Sequence, residues 1–180
     1  MTRNLFAAVA AAALLAGCST MGADGTSTAM GAPADMTPST RDAYVQMAAA
    51  SDLFEIQSSQ LALTKAQNPA VRDFARMMVE HHTNTTNQLM SAAQASGMGM
   101  VTPQLMPMQQ QMMTRLEAAS GKAFDRTYMR QQVTAHEMAL ALHSNYASNG
   151  DRAPLKAVAG QAVPIVTQHL QQAQRMMGMM

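Results

Sequence analysis

The feature that most constrains the fold is the helical spacing of apolar residues from about residue 40 onward. Apolar side chains recur three, four and seven positions apart, which is the repeat of one helix face. Four long segments follow this repeat, and no stretch alternates in the manner of a strand. Their boundaries carry helix start and stop residues such as Asn68-Pro69 and Asn149-Gly150. The sequence therefore predicts an all-α fold, a four-helix bundle over residues 41–178.

The junctions predict where these helices begin and end. A capping box at residues 39–42 fits the start of the first helix, and Asn68 followed by Pro69 fits the cap and first position of the second. An extra short helix is predicted between helices two and three, from about residue 102 to 120. Asp151 is placed to cap the fourth long helix. Pro164 lies inside that helix, where a missing hydrogen bond predicts a kink.

The N-terminal residues follow a bacterial export pattern. Arg3 precedes an apolar run over residues 5–16, which is too short to span a bilayer and fits a signal peptide over residues 1–17. The run ends in Leu15-Ala16-Gly17-Cys18, which resembles a lipobox, so Cys18 is the predicted lipidation site. Residues 18–40, rich in small and polar residues, then form a flexible tether.

This pattern predicts a lipoprotein that the lipid on Cys18 holds to a membrane, on the periplasmic side of the cell envelope. Ser19, rather than Asp, follows the cysteine. By resemblance to known lipoproteins, this favours the outer membrane. Cys18 is also the sole cysteine, so no disulfide can stabilise the domain and a hydrophobic core must do so.

Charge and aromatic content exclude a nucleic-acid partner. The chain has 12 Lys and Arg against 11 Asp and Glu, and loss of Arg3 with the signal peptide makes the two equal. Aromatic residues make up 4% of the chain and tryptophan is absent, which is poor for stacking on bases. No hydrolytic triad, phosphate loop or paired acidic dyad is present, so hydrolysis and phosphoryl transfer have no support.

Each long helix places one polar residue in the middle of its apolar stripe: Glu55, His82, His136 and His169. Antiparallel neighbours bring mid-helix residues to similar heights, so these side chains are expected to converge in the core. Three neutral imidazoles and one carboxylate suit a single Cu, Zn, Fe or Mn ion. The alternative is a hydrogen-bonded polar network without an ion, because buried polar groups must find partners of some kind.

Four neighbouring polar residues receive other interpretations. His81 is predicted to turn away from the core and to be solvated. His143, two turns beyond His136, is a candidate to support that ligand. Asp125 is interpreted as a helix-start or ion-pair residue, and Tyr128 as a core residue with a bonded hydroxyl.

Twenty methionines set this chain apart. Met98, Met100, Met106 and Met108 lie among Gly and Pro residues in the link after helix two, where little core is available. Thioethers are soft ligands that select Cu(I), and the spacing resembles Met-rich segments of periplasmic copper proteins. Flexible packing, compositional drift and a reversible sink for oxidants are the competing explanations.

A series of ordered motifs over roughly residues 40–175 resembles a bacterial ferritin-like family, the domain of unknown function 4142. The motifs are Phe54-Glu55-Ile56, Lys65-Ala66, Val71-x-x-Phe74-Ala75, Met78-Val79-x-x-His82-Thr83, Phe124-Asp125-x-x-Tyr128, Gln132-Val133-x-x-His136 and Pro164-x-x-x-x-His169-Leu170. The resemblance implies a ferritin-like bundle in an exported protein and supplies no activity. The chain departs from the di-iron pattern, because Val79, Val133 and Val166 stand where Glu-x-x-His would need carboxylates.

Three functions fit the sequence. The leading hypothesis is a non-enzymatic metal-binding lipoprotein for copper handling or envelope stress. The second is a metal-dependent redox enzyme on a ferritin-like scaffold, which would need an open coordination position. The third is a metal-free structural or interaction module.

Overall fold

The computed structural model describes residues 37–180 of the chain. This part contains five α-helices and no strand: α1 (Arg41–Lys65), α2 (Pro69–Ala95), α3 (Pro107–Ala118), α4 (Gly121–Asn149) and α5 (Ala153–Met177). The prediction of an all-α bundle with a short helix between the second and third long helices is confirmed. None of these helices is both long and apolar enough to cross a membrane. The predicted signal peptide, Cys18 and most of the predicted tether lie outside the described residues.

Helix pairing places every long helix beside antiparallel neighbours. α1 packs against α2 and α4, while α5 packs against α4 and α2. α3 lies against α1 and α4, and at its end the carbonyl of Glu117 accepts a hydrogen bond of 2.6 Å from Lys65 Nζ. The short helix therefore carries the chain back along the bundle, so that α4 begins beside the end of α1. The resulting directions of the four long helices are up, down, down and up.

Two apolar clusters fill opposite ends of the bundle. The lower cluster joins the start of α1 to the ends of α2 and α4 and the start of α5; among its residues are Tyr44, Val45, Leu89, Leu142, Tyr146 and Leu155. The upper cluster joins the opposite helix ends and includes Val71, Phe74, Met78, Leu116, Phe124 and Tyr128. Buried polar side chains lie along the helices between these two clusters. Apolar packing therefore shields this polar layer at both ends.

The junction between α1 and α2 matches its prediction. Asn68 caps α2, its side-chain oxygen accepts a hydrogen bond of 2.9 Å from Ala70 N, and Pro69 is the first helical residue. Asp125, at the start of α4, also stabilises this junction by accepting hydrogen bonds from Gln67 N at 3.0 Å and Asn68 N at 2.9 Å. The interpretation of Asp125 as a helix-start or ion-pair residue was therefore wrong, because its buried carboxylate accepts backbone hydrogen bonds at the junction of α1 and α2.

Two other predicted caps were wrong. Thr40 precedes α1 without a side-chain cap, and Asp42 instead pairs with Arg41 Nε at 2.8 Å. Arg152 precedes α5, while the carboxylate of Asp151 accepts a hydrogen bond of 2.8 Å from Tyr146 OH. In both cases a tertiary or neighbouring partner competes for the carboxylate that local sequence assigned to the helix start.

The start of α3 and the course of α5 through Pro164 are two further points to compare with the prediction. The extra helix begins at Pro107 rather than near residue 102, and Gln109 Oε1 accepts a hydrogen bond of 2.8 Å from Met106 N at its start. α5 runs through Pro164 without a break. Pro164 and Gly160, the residue whose carbonyl loses its donor, both lie on the exposed face, where water can satisfy that carbonyl.

Candidate metal centre

Three histidines from three different helices meet in the polar layer. His82 lies on α2, His136 on α4 and His169 on α5. One ring nitrogen from each lies within 4.8 Å of the others, and none of the three residues is more than 3% exposed. The rings are held at steep angles, with centroids 5.3–5.6 Å apart. This arrangement could hold one metal ion.

The hydrogen bonds of His82 fix which of its nitrogens is free. Nδ1 lies 2.8 Å from Asp52 Oδ1, so in the neutral ring Nδ1 carries the proton and Nε2 keeps a lone pair. Nε2 is buried without a hydrogen-bond partner. A buried acceptor without a partner costs about 1–3 kcal/mol. A carboxylate bonded to one nitrogen while the other remains free is the arrangement that orients histidine ligands to metals.

Asp52 is itself held in place by two threonines on α2. Thr85 Oγ1 lies 3.1 Å from Asp52 Oδ1, and Thr86 Oγ1 lies 3.1 Å from Oδ2. Asp52, Thr85 and Thr86 were missed in the sequence analysis. The available signal was that Asp52 lies three residues before Glu55, and so on the same face of α1.

His136 and His169 continue the pattern through a chain of hydrogen bonds. His136 Nδ1 donates to the carbonyl oxygen of Gln132 at 2.8 Å, which leaves the lone pair on Nε2. That Nε2 lies 3.3 Å from His169 Nδ1, while His169 Nε2 lies 2.8 Å from His81 Nδ1. The proton positions that satisfy every link run from His81 to His169, then to His136 and Gln132.

Glu55 lies in the same layer but contacts a different part of the triad. Its Oε1 is 3.7 Å from His136 Nδ1, the nitrogen that bonds to the backbone, and neither carboxylate oxygen has a hydrogen-bond partner. Burial raises the pKa of Glu55 to about 7, although the charge of His82 and the nearby amide of Gln132 oppose this. The structure thus brings three of the four expected ligands together and places Glu55 beside them.

Burial keeps two of the histidines neutral. It lowers the pKa of His136 to about 3 and that of His169 to about 2, and the charge of His82 adds to both shifts. Burial also opposes protonation of His82, but the hydrogen bond and charge of Asp52, with the charge of Glu55, outweigh it and raise the pKa of His82. At neutral pH His136 and His169 therefore offer lone pairs, and the two acidic residues favour a cation at this position.

The interpretation of His81 was wrong, and His143 bonds to a residue other than the one expected. His81 is half-buried, and its ring stacks on that of His169 at a centroid distance of 5.0 Å. His143 Nδ1 lies 3.0 Å from Tyr44 OH, so its hydrogen bond is to the lower cluster. The interpretation of Tyr128 is confirmed, because its buried hydroxyl lies 2.8 Å from Ser59 Oγ.

The methionines of the link after α2 line a groove of about 490 Å³. Met98, Met100 and Met106 contribute to it, together with Met47 of α1. Met108 is not among the lining residues and is 42% exposed. The structure therefore brings three of the four predicted soft-metal contacts to one groove, and adds a methionine from a distant part of the sequence.

Comparison with known proteins gives a family and a fold. A family model described as "Domain of unknown function (DUF4142)" matches residues 25–176. No curated protein matches the chain. Among solved structures, the chain is similar to "CopM in the Cu(I)-bound form", with 20% identity, 75% of this chain and 93% of that chain covered, and a TM-score of 0.64.

Two further structures of the same protein give similar values. "CopM in the Cu(II)-bound form" is 20% identical, with 77% of this chain and 96% of that chain covered and a TM-score of 0.61. "CopM in the Ag-bound form (by co-crystallization)" is 20% identical, with 76% and 93% covered and a TM-score of 0.63. At this identity the likeness shows a shared helical bundle fold.

Proposed function

Because the chain belongs to the family described as "Domain of unknown function (DUF4142)", which names no activity, we propose a function from the site itself. The protein binds one transition-metal ion, copper above all, between His82, His136 and His169. The observation that carries this proposal is the buried Nε2 of His82, which has no hydrogen-bond partner and lies within reach of two further imidazoles. A bound cation would satisfy that lone pair.

The donor set suits copper. His82 Nε2, His136 Nε2 and one ring nitrogen of His169 would hold the ion, and imidazole is a good ligand for Cu, Zn, Fe and Ni. Copper binds N-donor sites more tightly than the other divalent metals of its row. The protein whose fold this chain shares was solved with Cu(I), Cu(II) and Ag bound, which supports the choice of copper here.

Burial of the three ligands favours binding over catalysis. Each of the three residues is at most 3% exposed, so a bound ion would be screened from any substrate larger than water. We therefore propose metal handling or stress protection as the role. The redox enzyme is the second candidate, and it requires a copper-loaded protein that turns over peroxide or oxygen.

The methionine groove is proposed as a separate soft-metal site. Met47, Met98, Met100 and Met106 line one groove, and thioethers select Cu(I). Met100 is 96% exposed, so the groove is open to ions in solution. Changing Met98 and Met106 to Leu keeps the packing volume and removes two thioethers. Copper in excess of one ion per chain should then fall in Cu(I) titrations, while the histidine site stays filled.

Export and membrane anchoring belong to the same proposal. The lipobox-like ending at Cys18 supports a lipid anchor on the periplasmic side of the outer membrane. The crossover made by α3 supports a ferritin-like relationship, since a four-helix bundle with one long crossover is the ferritin-like arrangement. Labelling cells with a radioactive fatty acid should mark the wild-type chain and leave Cys18→Ala unlabelled.

Metal content tests the central claim. The full chain is stripped with a chelator, loaded with Cu(I), Cu(II), Zn(II) or Fe(II) in turn, desalted and measured by mass spectrometry. Variants His82→Gln and His136→Gln remove one ligand each, and His143→Gln is the matched control because it changes a buried histidine outside the triad. All of these proteins, including the parent, also carry Met98→Leu and Met106→Leu, so that copper bound in the methionine groove does not mask the result.

We expect about one copper ion per chain in the parent and in His143→Gln, and nearly none in the two triad variants. A folded parent that takes up none of the four ions would exclude both the metal-handling role and the redox enzyme. It would leave a structural or interaction module. Equal uptake by the parent and both triad variants would place the ion elsewhere.

A further inference from the structure

His81 links the buried triad to the protein surface. It is half-buried, and its Nδ1 lies 2.8 Å from Nε2 of His169, whose ring stacks on it at an interplanar angle of 21°. The other nitrogen of His169, Nδ1, lies 3.3 Å from His136 Nε2. His169 therefore presents one nitrogen to His81 and the other to the core.

A metal ion must cross the packed bundle to reach the triad. The two apolar clusters close both ends, and neither end offers an imidazole open to solvent, although the methionine groove borders the lower cluster. Among the histidines of residues 37–180, His143 is buried and bonds to Tyr44, whereas His81 is partly open to solvent and touches a triad member. A histidine that is open to solvent and also contacts the triad can replace water molecules on the metal ion with a nitrogen ligand, so the ion is never without ligands.

We propose that His81 is the surface ligand through which the ion reaches the triad, an inference that rests on the proposed metal-binding function. The ion first binds between His81 Nδ1 and His169 Nε2. The proton shared by these nitrogens moves to Nε2 of His81 through solvent, so no net proton is lost in this step. The nitrogens, now 2.8 Å apart, must separate to about 4 Å to accommodate two metal–nitrogen bonds of about 2 Å.

The second step is the transfer of the ion from the His81 side of His169 to its core side. His169 keeps its proton on Nδ1, and rotation of its ring brings the ion on Nε2 towards His136 Nε2 and the unpartnered His82 Nε2. His136 and His82 then replace His81 as ligands. His81 thus acts during loading and release and is absent from the final set of ligands.

Loading kinetics test this role. The metal-free full chain is mixed without oxygen with the coloured Cu(I) complex of bicinchoninate, and loss of its absorbance is followed in a stopped-flow instrument. The Met98→Leu/Met106→Leu background removes competing uptake by the groove. We compare His81→Ala with Asn84→Ala, a control at an exposed position less than one turn further along α2. His81→Met keeps a donor that binds Cu(I).

We expect His81→Ala to load about tenfold more slowly or worse, with copper at equilibrium still one per chain. Release to excess chelator should slow by the same factor, because one barrier is crossed in both directions. Asn84→Ala should match the parent, and His81→Met should recover most of the loading rate. If His81→Ala only loosened α2, copper release would become faster instead of slower.

Three results would overturn the inference while leaving the proposed function in place. They are an unchanged loading rate in His81→Ala, a loss of equilibrium copper in that variant, which would make His81 a resident ligand, and a failure of His81→Met to restore loading. A parent protein that binds no copper would instead remove the proposed function, and this inference with it.

Discussion

Replacing Glu55 with glutamine tests the electrostatics of the polar layer, because the two side chains have nearly the same shape and differ in charge. Glu55 is 1% exposed and neither of its oxygens has a hydrogen-bond partner. Burial raises its pKa from 4.5 to about 7. Each pKa unit corresponds to about 1.4 kcal/mol, so a fully ionised Glu55 destabilises the metal-free protein by on the order of 3 kcal/mol.

The direction of the pH effect follows from the raised pKa of Glu55. The folded protein holds its proton more tightly than the unfolded chain, so stability is fully present below pH 4.5 and is lost as pH rises through about 7. Glu55→Gln should therefore gain about 2–3 kcal/mol over the parent at pH 8 and close to nothing at pH 4.5. Metal reverses the preference, because a bound cation favours the carboxylate.

The assay is urea unfolding followed by circular dichroism, at pH 4.5 and pH 8 with a chelator present. Glu137→Gln, which neutralises an exposed carboxylate beside His136, is the control and should change stability by less than about 0.5 kcal/mol. Repeating the pH 8 measurement with saturating Cu(I) should shrink the advantage of Glu55→Gln. A stability difference that is the same at both pH values would refute the reasoning, since a burial penalty on charge must follow ionisation.

Three further predictions concern the surroundings of the site. Asp52→Asn should weaken copper binding by about 10–100-fold in competition with a chelator, because the proton on Nδ1 of His82 loses its anionic partner. Asp125→Ala should cost on the order of 3 kcal/mol in urea unfolding, since two backbone N–H groups lose a charged acceptor. The lowered pKa values of His136 and His169 mean that stability is present above pH 6.5 and is lost as pH falls below it. Each of these two histidines should contribute about 1.4 kcal/mol of stability per pH unit over this range. Urea unfolding of Glu55→Gln is the best measurement, because this variant lacks the opposing titration of the Glu55 carboxyl.

Local signals in the sequence were sufficient where a feature depends on neighbours along the chain. The cap at Asn68 and Pro69 depends on residues two positions apart, and the structure confirms it. The caps expected at Asp42 and Asp151 failed because Arg41 and Tyr146 bind these carboxylates in the folded chain. A capping motif competes with every other donor that the fold brings near, and the sequence does not show which donor is closest.

The different environments of His81 and His82 arise from the position of α2 between two helices. Consecutive residues on a helix point about 100° apart, so a single buried stripe predicts that one is inside and the other outside. α2 packs against both α1 and α5, which widens its buried face. His82 therefore bonds to Asp52 of α1, while His81 bonds to His169 of α5.

The sequence by itself determined the all-α class, the number of long helices and the mid-helix position of Glu55, His82, His136 and His169, because helical periodicity and helix stop signals are properties of the local chain. Tertiary structure alone decided that three of these side chains share one site while Glu55 lies beside it. It also decided which ring nitrogen of His82 remains free, because that depends on Asp52, which lies 30 residues away along the chain. Helix rotation and register, set by packing across the bundle, select those partners.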